Sequence, residues 1–364
     1  MATVERDAST RHSRATAPRA ALPTGADLVR AGRLRRTRRR RVALVAMTVV
    51  IAVLFAAMLL LGRTIYPVSD VWAVLTGNQV AGASFTVGTL RLPRALTAVL
   101  AGIAFGVAGA TFQTMLRNPL ASPDVIGITS GASAAAILSI VILHWGSAAT
   151  MGLALAAGIL TALVIYLAAR GGESTGGRLI LIGIGVGAML DAVVAFLLVR
   201  AAVSDLSVAT RWMTGSLNGA RMADIPALAI AVVVLVPLVL VLQRNLGALE
   251  LGDAAATALG VRVDRTRVLL VVAAVALACV AAATTGPIAF VAFLAGPIAA
   301  RIVGPGLPVI APAALTGACL VMAADLIGQF AFDTKFPVGV ITGILGAPYL
   351  IYLLTRTARR GGSS

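Results

Sequence analysis

Long stretches without a charged residue constrain the fold of this chain more than any other feature. The longest covers residues 268–300, and several others exceed twenty residues. A helix of about 20 apolar residues crosses the bilayer core, which is about 30 Å thick. Charged residues make up only 12% of the chain, whereas soluble domains average about 25%. The sequence therefore predicts an all-α, polytopic membrane protein and excludes an ordinary soluble domain.

The number of membrane spans follows from these stretches. As a single helix, residues 268–300 would be about 50 Å long at 1.5 Å per residue, which is too long for the bilayer. We expect Thr284-Thr285-Gly286-Pro287 to divide this stretch, because Gly and Pro interrupt helices. About ten transmembrane helices are therefore predicted: residues 42–62, 95–116, 125–143, 145–169, 179–199, 225–242, the two halves of 268–300, 307–330 and 336–355.

A basic segment precedes the first span. Residues 1–41 contain twelve arginines and three acidic residues, and the last four arginines adjoin the span. Such a segment is retained in the cytoplasm and contacts anionic lipid headgroups, and nucleic-acid binding is the less favoured alternative. Residues 42–62 are too long for the apolar core of a cleaved signal peptide. We expect a disordered basic cytoplasmic tail over 1–41, a ten-helix transmembrane domain over 42–357 and a cytoplasmic C-terminal tail over 358–364.

The basic residues also indicate the orientation in the membrane. An even number of spans puts both termini on one side. With the termini in the cytoplasm, that side receives most of the 30 basic residues, as the positive-inside rule requires. The outer side still carries a set of bases, for which we expect acidic partners or local structural roles. These are Arg63, Arg91, Arg94, Arg200, Arg211, Arg221 and Lys335.

Several kinds of chemistry lack the residues that they need. Lys335 is the only lysine and lies outside any P-loop pattern, so another subunit must bind ATP if ATP drives transport. His12 and His144 are far apart, so we expect no metal site and no cofactor, and iron would travel inside a chelator. Enzyme activity is not expected, because no catalytic constellation is seen. A proton-coupled transporter would need more intramembrane charges than Asp191 and Asp325.

The longest cytoplasmic loop contains a short helical pattern. It has a candidate cap, an alanine-rich interior and a terminating glycine, in the order Leu251-Gly252-Asp253-Ala254-Ala255-Ala256-Thr257-Ala258-Leu259-Gly260. Asp253 would lie near the positive end of the helix dipole. A helix of two turns is too short to be a domain, so we expect it to contact another protein. Arg in place of Ala255 or Ala256 should leave the chain folded, since the site is aqueous.

Features inside the spans concern packing and buried charge. Asp191 and Asp325 are acids within predicted spans, where charged groups are costly and usually have a role. Close helix packing is predicted from four G-x-x-x-G pairs, and packing within one chain is favoured over a dimer contact. The pairs are Gly102/Gly106, Gly127/Gly131, Gly183/Gly187 and Gly339/Gly343.

Six short motifs occur in a characteristic order between residues 91 and 354. They are Arg91-Leu92-Pro93-Arg94, Arg117-Asn118-Pro119-Leu120-Ala121, Leu251-Gly252-Asp253, Gly286-Pro287-Ile288-Ala289-Phe290, Ala324-Asp325 and Phe336-Pro337-Val338-Gly339-Val340. In this order and spacing the chain resembles the permease subunits of ATP-binding-cassette (ABC) importers for iron-siderophores, haem and cobalamin. The resemblance implies the type II importer architecture, with ten spans, in the plasma membrane of a bacterium.

The resemblance also implies partners. A second permease subunit, identical or paralogous, would complete the pathway, and two cytoplasmic ATPase subunits would use ATP and Mg. An extracytoplasmic binding protein would deliver a ferric siderophore, with haem or cobalamin as alternatives, and no nucleic acid is implied. Many family members carry Pro-His where this chain reads Ala295-Gly296-Pro297-Ile298. That variant resembles the permeases for catecholate siderophores.

Roles for single residues follow from the same resemblance. Arg91 and Arg94 resemble outer arginines that meet acidic residues of the binding protein, whereas the residues alone favour contact with lipid headgroups. Lys335 is a possible third docking base. Gly252 to Gly260 resemble the element that couples to the ATPase. Among the intramembrane acids, the family pattern favours a structural polar contact for Asp325, while a helix-dipole contact and a pathway role are both open for Asp191.

Overall fold

Helices make up nearly all of the regular structure. The computed structural model describes residues 25–124, 127–169, 175–304 and 306–361. Over these residues the chain forms thirteen α-helices and no strand, as the composition predicts. The first seven are α1 (Gly25–Leu60), α2 (Val68–Leu75), α3 (Leu92–Met115), α4 (Ile128–Leu138), α5 (Ser147–Ala169), α6 (Thr175–Val199) and α7 (Val203–Thr214). The others are α8 (Ile225–Leu249), α9 (Asp253–Ala258), α10 (Val263–Thr285), α11 (Val291–Val303), α12 (Ile310–Phe330) and α13 (Val338–Gly361).

Ten of these helices correspond to the predicted spans. Seven have the length and composition to cross a membrane, and three shorter apolar segments, at α4, at α11 and in the first part of α13, accompany them in the described chain. The longest apolar stretch is divided as predicted, because α10 ends at Thr285 and α11 begins at Val291. Gly286 (φ 71°) and Phe290 (φ 63°) have left-handed backbone conformations at this break, which a right-handed helix cannot contain. The chain is a multi-pass membrane protein.

The bundle has two ends, which we call the Arg94 end and the Asp253 end. Arg94 lies in the first turn of α3. The turn that follows α3 brings the guanidinium of Arg117 close to Gly252, which directly precedes α9. Because α3 has 24 residues, the two ends are separated by about 36 Å at 1.5 Å per residue.

Both termini of the described chain lie at the Asp253 end. Ala300, near the end of α11, lines a cavity together with Glu250, which precedes the turn into α9. Arg39 of α1 donates a hydrogen bond to the carbonyl of Arg301 in α11. The guanidinium of Arg301 lies 4.9 Å from the centre of the Tyr352 ring in α13. The arginine-rich part of α1 and the last turns of α13 are therefore at one end, as an even number of spans requires.

The predicted disordered tail is wrong for the part of residues 1–41 that the structure describes. The first helix begins at Gly25 and continues through the arginine run into the apolar span without a break. Arg and Leu have high helix propensity, and extending an existing helix avoids the unfavourable nucleation step. Residues 1–24 lie outside the described chain. At the other terminus α13 continues to Gly361, so the predicted boundary at residue 357 falls inside a helix.

The central helix α3 packs through small residues. Most of its side chains are buried, and it contacts α10, α11 and α12. A Cβ atom on Gly102 would lie 2.6 Å from the Cα of Ala318, and one on Gly106 would meet the carbonyl of Ala313. This G-x-x-x-G pair therefore packs within the chain, as predicted. Gly343 of α13, in contrast, has open space around its Cα among the described residues.

Replacing Gly102 with Val should destabilise the bundle, because the added side chain would press on the backbone of α12. Overpacking of this kind costs about 1–3 kcal/mol or more. We expect a clear fall in the melting temperature of the detergent-solubilised protein. Gly152→Val is the matched control, since no described atom beyond the local backbone of α5 lies within 4 Å of the Cβ position of Gly152. Equal melting temperatures for the two variants would contradict the close approach of α3 and α12.

Candidate functional sites at the two ends of the bundle

An ion pair between two predicted site residues joins α3 to α12 at the Arg94 end. Arg94 donates from Nε to one oxygen of Asp325 at 2.8 Å and from Nη2 to the other at 2.7 Å. Gln329 donates a third hydrogen bond to this carboxylate at 2.7 Å. The side chain of Asp325 is 1% exposed. Asp325 therefore makes a structural polar contact.

The burial of Arg94 explains why it needs this carboxylate. A cation that is largely removed from water needs a charged hydrogen-bond partner, and the bidentate contact with Asp325 provides one. The remaining Nη1 atom donates to the side-chain oxygen of Asn218 at 2.6 Å. Asn218 lies in the segment between α7 and α8. One guanidinium thus ties together three separate parts of the chain, and its side chain is 19% exposed.

Arg91 lies under the surface and bonds to the end of α1. Its guanidinium donates to the carbonyls of Leu59 at 2.8 Å, Leu60 at 2.9 Å and Thr64 at 2.6 Å. It also lies 5.4 Å from the centre of the Tyr66 ring. The last carbonyls of a helix have no partner within the helix, so Arg91 acts as a distant C-terminal cap for α1. The residue is 9% exposed, and its donors face the interior.

Lys335 has a different environment from the two arginines. It lies in the exposed turn between α12 and α13, where the rings of Phe332 and Phe336 pack edge to face at 5.1 Å. The ion pairs of the described chain are formed by Arg94, His144, Arg221 and Arg267, and Lys335 is in none of them. Its amine is therefore available for an external partner.

The predicted short helix forms at the Asp253 end. α9 covers Asp253–Ala258 and is flanked by Gly252 (φ 105°) and Gly260 (φ 82°), whose left-handed backbone conformations begin and end it. The carboxylate of Asp253 lies in the first turn and accepts hydrogen bonds from Arg267 of α10 at 2.9 and 3.0 Å. This ion pair fixes the orientation of α9 relative to a long helix.

The two faces of α9 differ in burial, and this difference corrects the expected effect of one substitution. Ala256 is fully buried against the bundle, so Arg at this position would disturb the fold, and the expectation that it is tolerated there is wrong. Ala254 and Ala258 are exposed. Leu251 and Leu259, at the two ends of the helix, are 67% and 65% exposed. This outer face, with two unburied leucines, is suited to an apolar groove on another protein.

Asp191 is separated from the other acids. It lies in the interior of α6 and is exposed, without a hydrogen bond or ion pair to the rest of the described chain. The same helix exposes Leu181, Met189 and Phe196. The structure therefore brings Asp325 together with Arg94 but leaves Asp191 facing out of the chain.

Asp124 lies in the turn between α3 and α4 and is partly buried. The sequence patterns did not single out this residue. One carboxylate oxygen of Asp124 is buried without a hydrogen-bond partner among the described residues. Burial raises the pKa of Asp124 to about 6, and a hydrogen bond with Thr129 opposes the rise. Removal from water disfavours the charged form of a carboxyl group. The sequence offers only a weak signal for a buried carboxyl here. The signal is that an Asp follows directly after the turn Asn118-Pro119-Leu120-Ala121-Ser122-Pro123.

Asp124→Asn should stabilise the protein in a pH-dependent way. A carboxyl whose pKa rises on folding destabilises the folded state when it is ionised. This loss in the free energy of unfolding is absent below about pH 4, where the carboxyl is protonated, and complete above about pH 6. A rise from 3.8 to about 6 corresponds to about 3 kcal/mol. We expect a higher melting temperature for Asp124→Asn at pH 8, with the gain shrinking toward pH 5. The control is Asp333→Asn at an exposed turn. A gain in melting temperature that does not change with pH would contradict the raised pKa of Asp124.

Comparison with known proteins identifies the family. The FecCD transport family matches residues 49–356, which include both ends of the bundle. The chain belongs to the FecCD transport family. This FecCD protein is 42% identical over 301 residues to the ferric enterobactin transport system permease protein FepG of Escherichia coli, covering 82% of this chain and 91% of FepG. It is 41% identical to the achromobactin permease CbrC of Dickeya dadantii, covering 85% and 90% of the two chains.

A solved structure supports the fold of this FecCD chain. A metal-chelate type ABC transporter in an inward-facing conformation matches with a TM-score of 0.77 at 23% identity, covering 86% of this chain and 98% of that one. Among further relatives, the cobalamin permease BtuC of Halobacterium salinarum is 35% identical over 75% of this chain and 74% of its own length. The architecture is that of a type II ABC importer permease.

Proposed function

We propose that the chain is the membrane-spanning permease subunit of an ABC importer that carries a ferric siderophore into the cell. The identity of 42% to a ferric enterobactin permease, over 82% of this chain and 91% of that one, carries this proposal. The chain has no catalytic role of its own. Two separate ATPase subunits hydrolyse ATP with Mg, a second permease subunit completes the pathway, and an extracytoplasmic binding protein delivers the cargo.

The orientation in a bacterial plasma membrane is proposed from charge. Both ends of the described chain lie at the Asp253 end together with the arginines of the first helix, and basic residues are retained in the cytoplasm. We therefore place the Asp253 end inside and the Arg94 end outside. With this orientation α9 faces the ATPase subunits, and the Gly252 to Gly260 segment is the coupling element.

Docking of the binding protein is proposed for the Arg94 end. Lys335 offers an amine that has no partner among the described residues, and Arg94 offers a side chain that is 19% exposed. Both would attract acidic residues of the binding protein and raise the association rate. Arg91 lies beneath this surface and holds the end of α1 in place, so its part in docking is to position the neighbouring backbone.

We propose that Asp191 lines the translocation pathway. A carboxylate in the middle of a span is costly against lipid and is found next to water-filled cavities or polar partners. Asp191 has no hydrogen bond or ion pair within the described chain, and its helix exposes one long apolar face. That face would meet the second permease subunit, with Asp191 at the water-filled gap between the two subunits.

Uptake of iron into proteoliposomes tests the proposed function. The chain is reconstituted with its genomic partner permease and ATPase, and ferric enterobactin, haem and cobalamin are compared as cargo. We expect iron uptake from ferric enterobactin only with ATP inside and binding protein outside. Uptake without the ATPase that stops when a proton ionophore is added would overturn the proposal in favour of a secondary transporter. Uptake of haem or cobalamin alone would reassign the cargo.

A further inference from the structure

We propose that the arginine-rich part of α1 and the end of α11 form a binding site for one anionic phospholipid. A cavity of about 380 Å³ lies between these two helices at the Asp253 end. Its walls are formed by Arg35, Arg38, Arg39, Val42, Ala43 and Ile302. The proposal concerns this chain alone and does not depend on the cargo or the ATPase.

One arginine of the cavity is fixed in position by the protein backbone. Arg39 donates from Nε to the carbonyl of Ile302 and from Nη2 to the carbonyl of Arg301, both at 3.1 Å. These carbonyls belong to the last turn of α11 and have no helical partner of their own. The contact holds α1 against α11, so the cavity has a defined shape and a charge that is already oriented.

The charges around the cavity are unbalanced. Three guanidinium groups line it, and none of its described lining residues is acidic. Like charges held together repel one another, and a phosphate oxygen would both relieve the repulsion and accept several guanidinium hydrogen bonds. The polar half of the cavity therefore favours a phosphate group.

The other half of the cavity distinguishes a lipid from a free anion. Val42, Ala43 and Ile302 are apolar, and Val42 and Ile302 are exposed in the isolated chain. Val42 is the first residue of the apolar stretch, so the cavity lies where the helix enters the membrane. A ligand with a phosphate joined to acyl chains fits both halves, because basic pockets beside membrane helices bind anionic headgroups at this level. A soluble phosphate would leave the apolar half uncovered.

The test measures lipid retention by the full chain in detergent, using native mass spectrometry with added phosphatidylglycerol or phosphatidylcholine. The site variant is Arg35→Gln with Arg38→Gln. The control variant, Arg33→Gln with Arg41→Gln, removes the same charge from exposed positions of the same helix that do not line the cavity. Because each arginine near an anionic membrane surface contributes about 1 kcal/mol, we expect phosphatidylglycerol affinity to fall about thirty-fold in the site variant only.

Three results would overturn the proposal. Equal loss of phosphatidylglycerol in both variants would mean that net charge alone attracts the lipid. Equal retention of phosphatidylcholine and phosphatidylglycerol by the unaltered chain would mean that the site does not select lipids by headgroup charge. Displacement of bound lipid by millimolar inorganic phosphate would assign the site to a free anion. Circular dichroism of both variants checks that the helices are intact, and Arg35→Lys with Arg38→Lys should retain part of the affinity.

Discussion

Arg94→Ala should cause the largest loss of stability of any single substitution at the Arg94 end. It leaves the carboxylate of Asp325 buried, with only Gln329 as a hydrogen-bond donor. Removing one partner of a buried ion pair costs about 3–5 kcal/mol, because the remaining charge is uncompensated. We expect little folded protein in size-exclusion chromatography and a large fall in melting temperature. Arg211→Ala, at an exposed position of α7, is the control and should behave like the unaltered chain.

The double variant Arg94→Met with Asp325→Leu separates stability from docking. It removes both charges and replaces them with apolar side chains, so much of the stability should return. Binding-protein association with this variant, measured at several salt concentrations, then reports on docking alone. If Arg94→Ala is as stable as Arg211→Ala, the ion pair does not support the fold. If the double variant is stable and binds the binding protein at the normal rate, Arg94 is structural and Lys335 is the remaining docking candidate.

Leu259→Ser should strongly reduce coupling between ATP hydrolysis and transport while leaving the chain folded. The side chain of Leu259 is 65% exposed, so its loss costs the isolated bundle little. A leucine that becomes buried in an ATPase groove contributes about 1.5–3 kcal/mol to that contact, and its loss should weaken assembly about ten- to a hundred-fold. We expect substrate-stimulated ATP hydrolysis of the reconstituted complex to fall accordingly.

A matched leucine at the opposite end provides the control for coupling. Leu75 of α2 is 41% exposed, and Leu75→Ser should leave ATP hydrolysis and assembly unchanged. Ala256→Arg is unsuitable as a test, because the buried position would confuse misfolding with uncoupling. Full coupled turnover by Leu259→Ser, with an ATPase affinity equal to that of Leu75→Ser, would exclude this end of α9 from the ATPase contact.

The sequence predicted most of the fold because membrane insertion leaves few choices. Apolar length located nine stretches, two of which contain an aspartate, and Gly286-Pro287 divided the longest of them into α10 and α11. The helical state of residues 25–41 was not predicted, since a run of like charges indicates disorder unless a neighbouring span nucleates the helix. The predicted and observed helices otherwise differ mainly at their ends, where capping contacts from distant residues decide the boundary.

The candidate sites were predicted less completely, because their contacts join residues far apart in the chain. Arg94 and Asp325 were each singled out, but nothing in the sequence pairs positions separated by 231 residues. The burial of Ala256 depends on which face of a two-turn helix meets the bundle, and an alanine-rich pattern does not distinguish its faces. The buried carboxylate of Asp124 depends on how the turn folds back, which its local sequence does not specify.

The two arginines of the first motif reach in opposite directions from neighbouring turns, Arg91 to the end of α1 and Arg94 to α12. Together they fix the positions of α1, α3 and α12 relative to one another. A surface held in this way loses little conformational freedom when a partner binds. A protein that docks at the Arg94 end would therefore bind a preformed surface, and the ordering of loops would reduce the binding free energy only slightly. Association should then be governed by diffusion and charge, with a rate that stays high even when the final complex is short-lived.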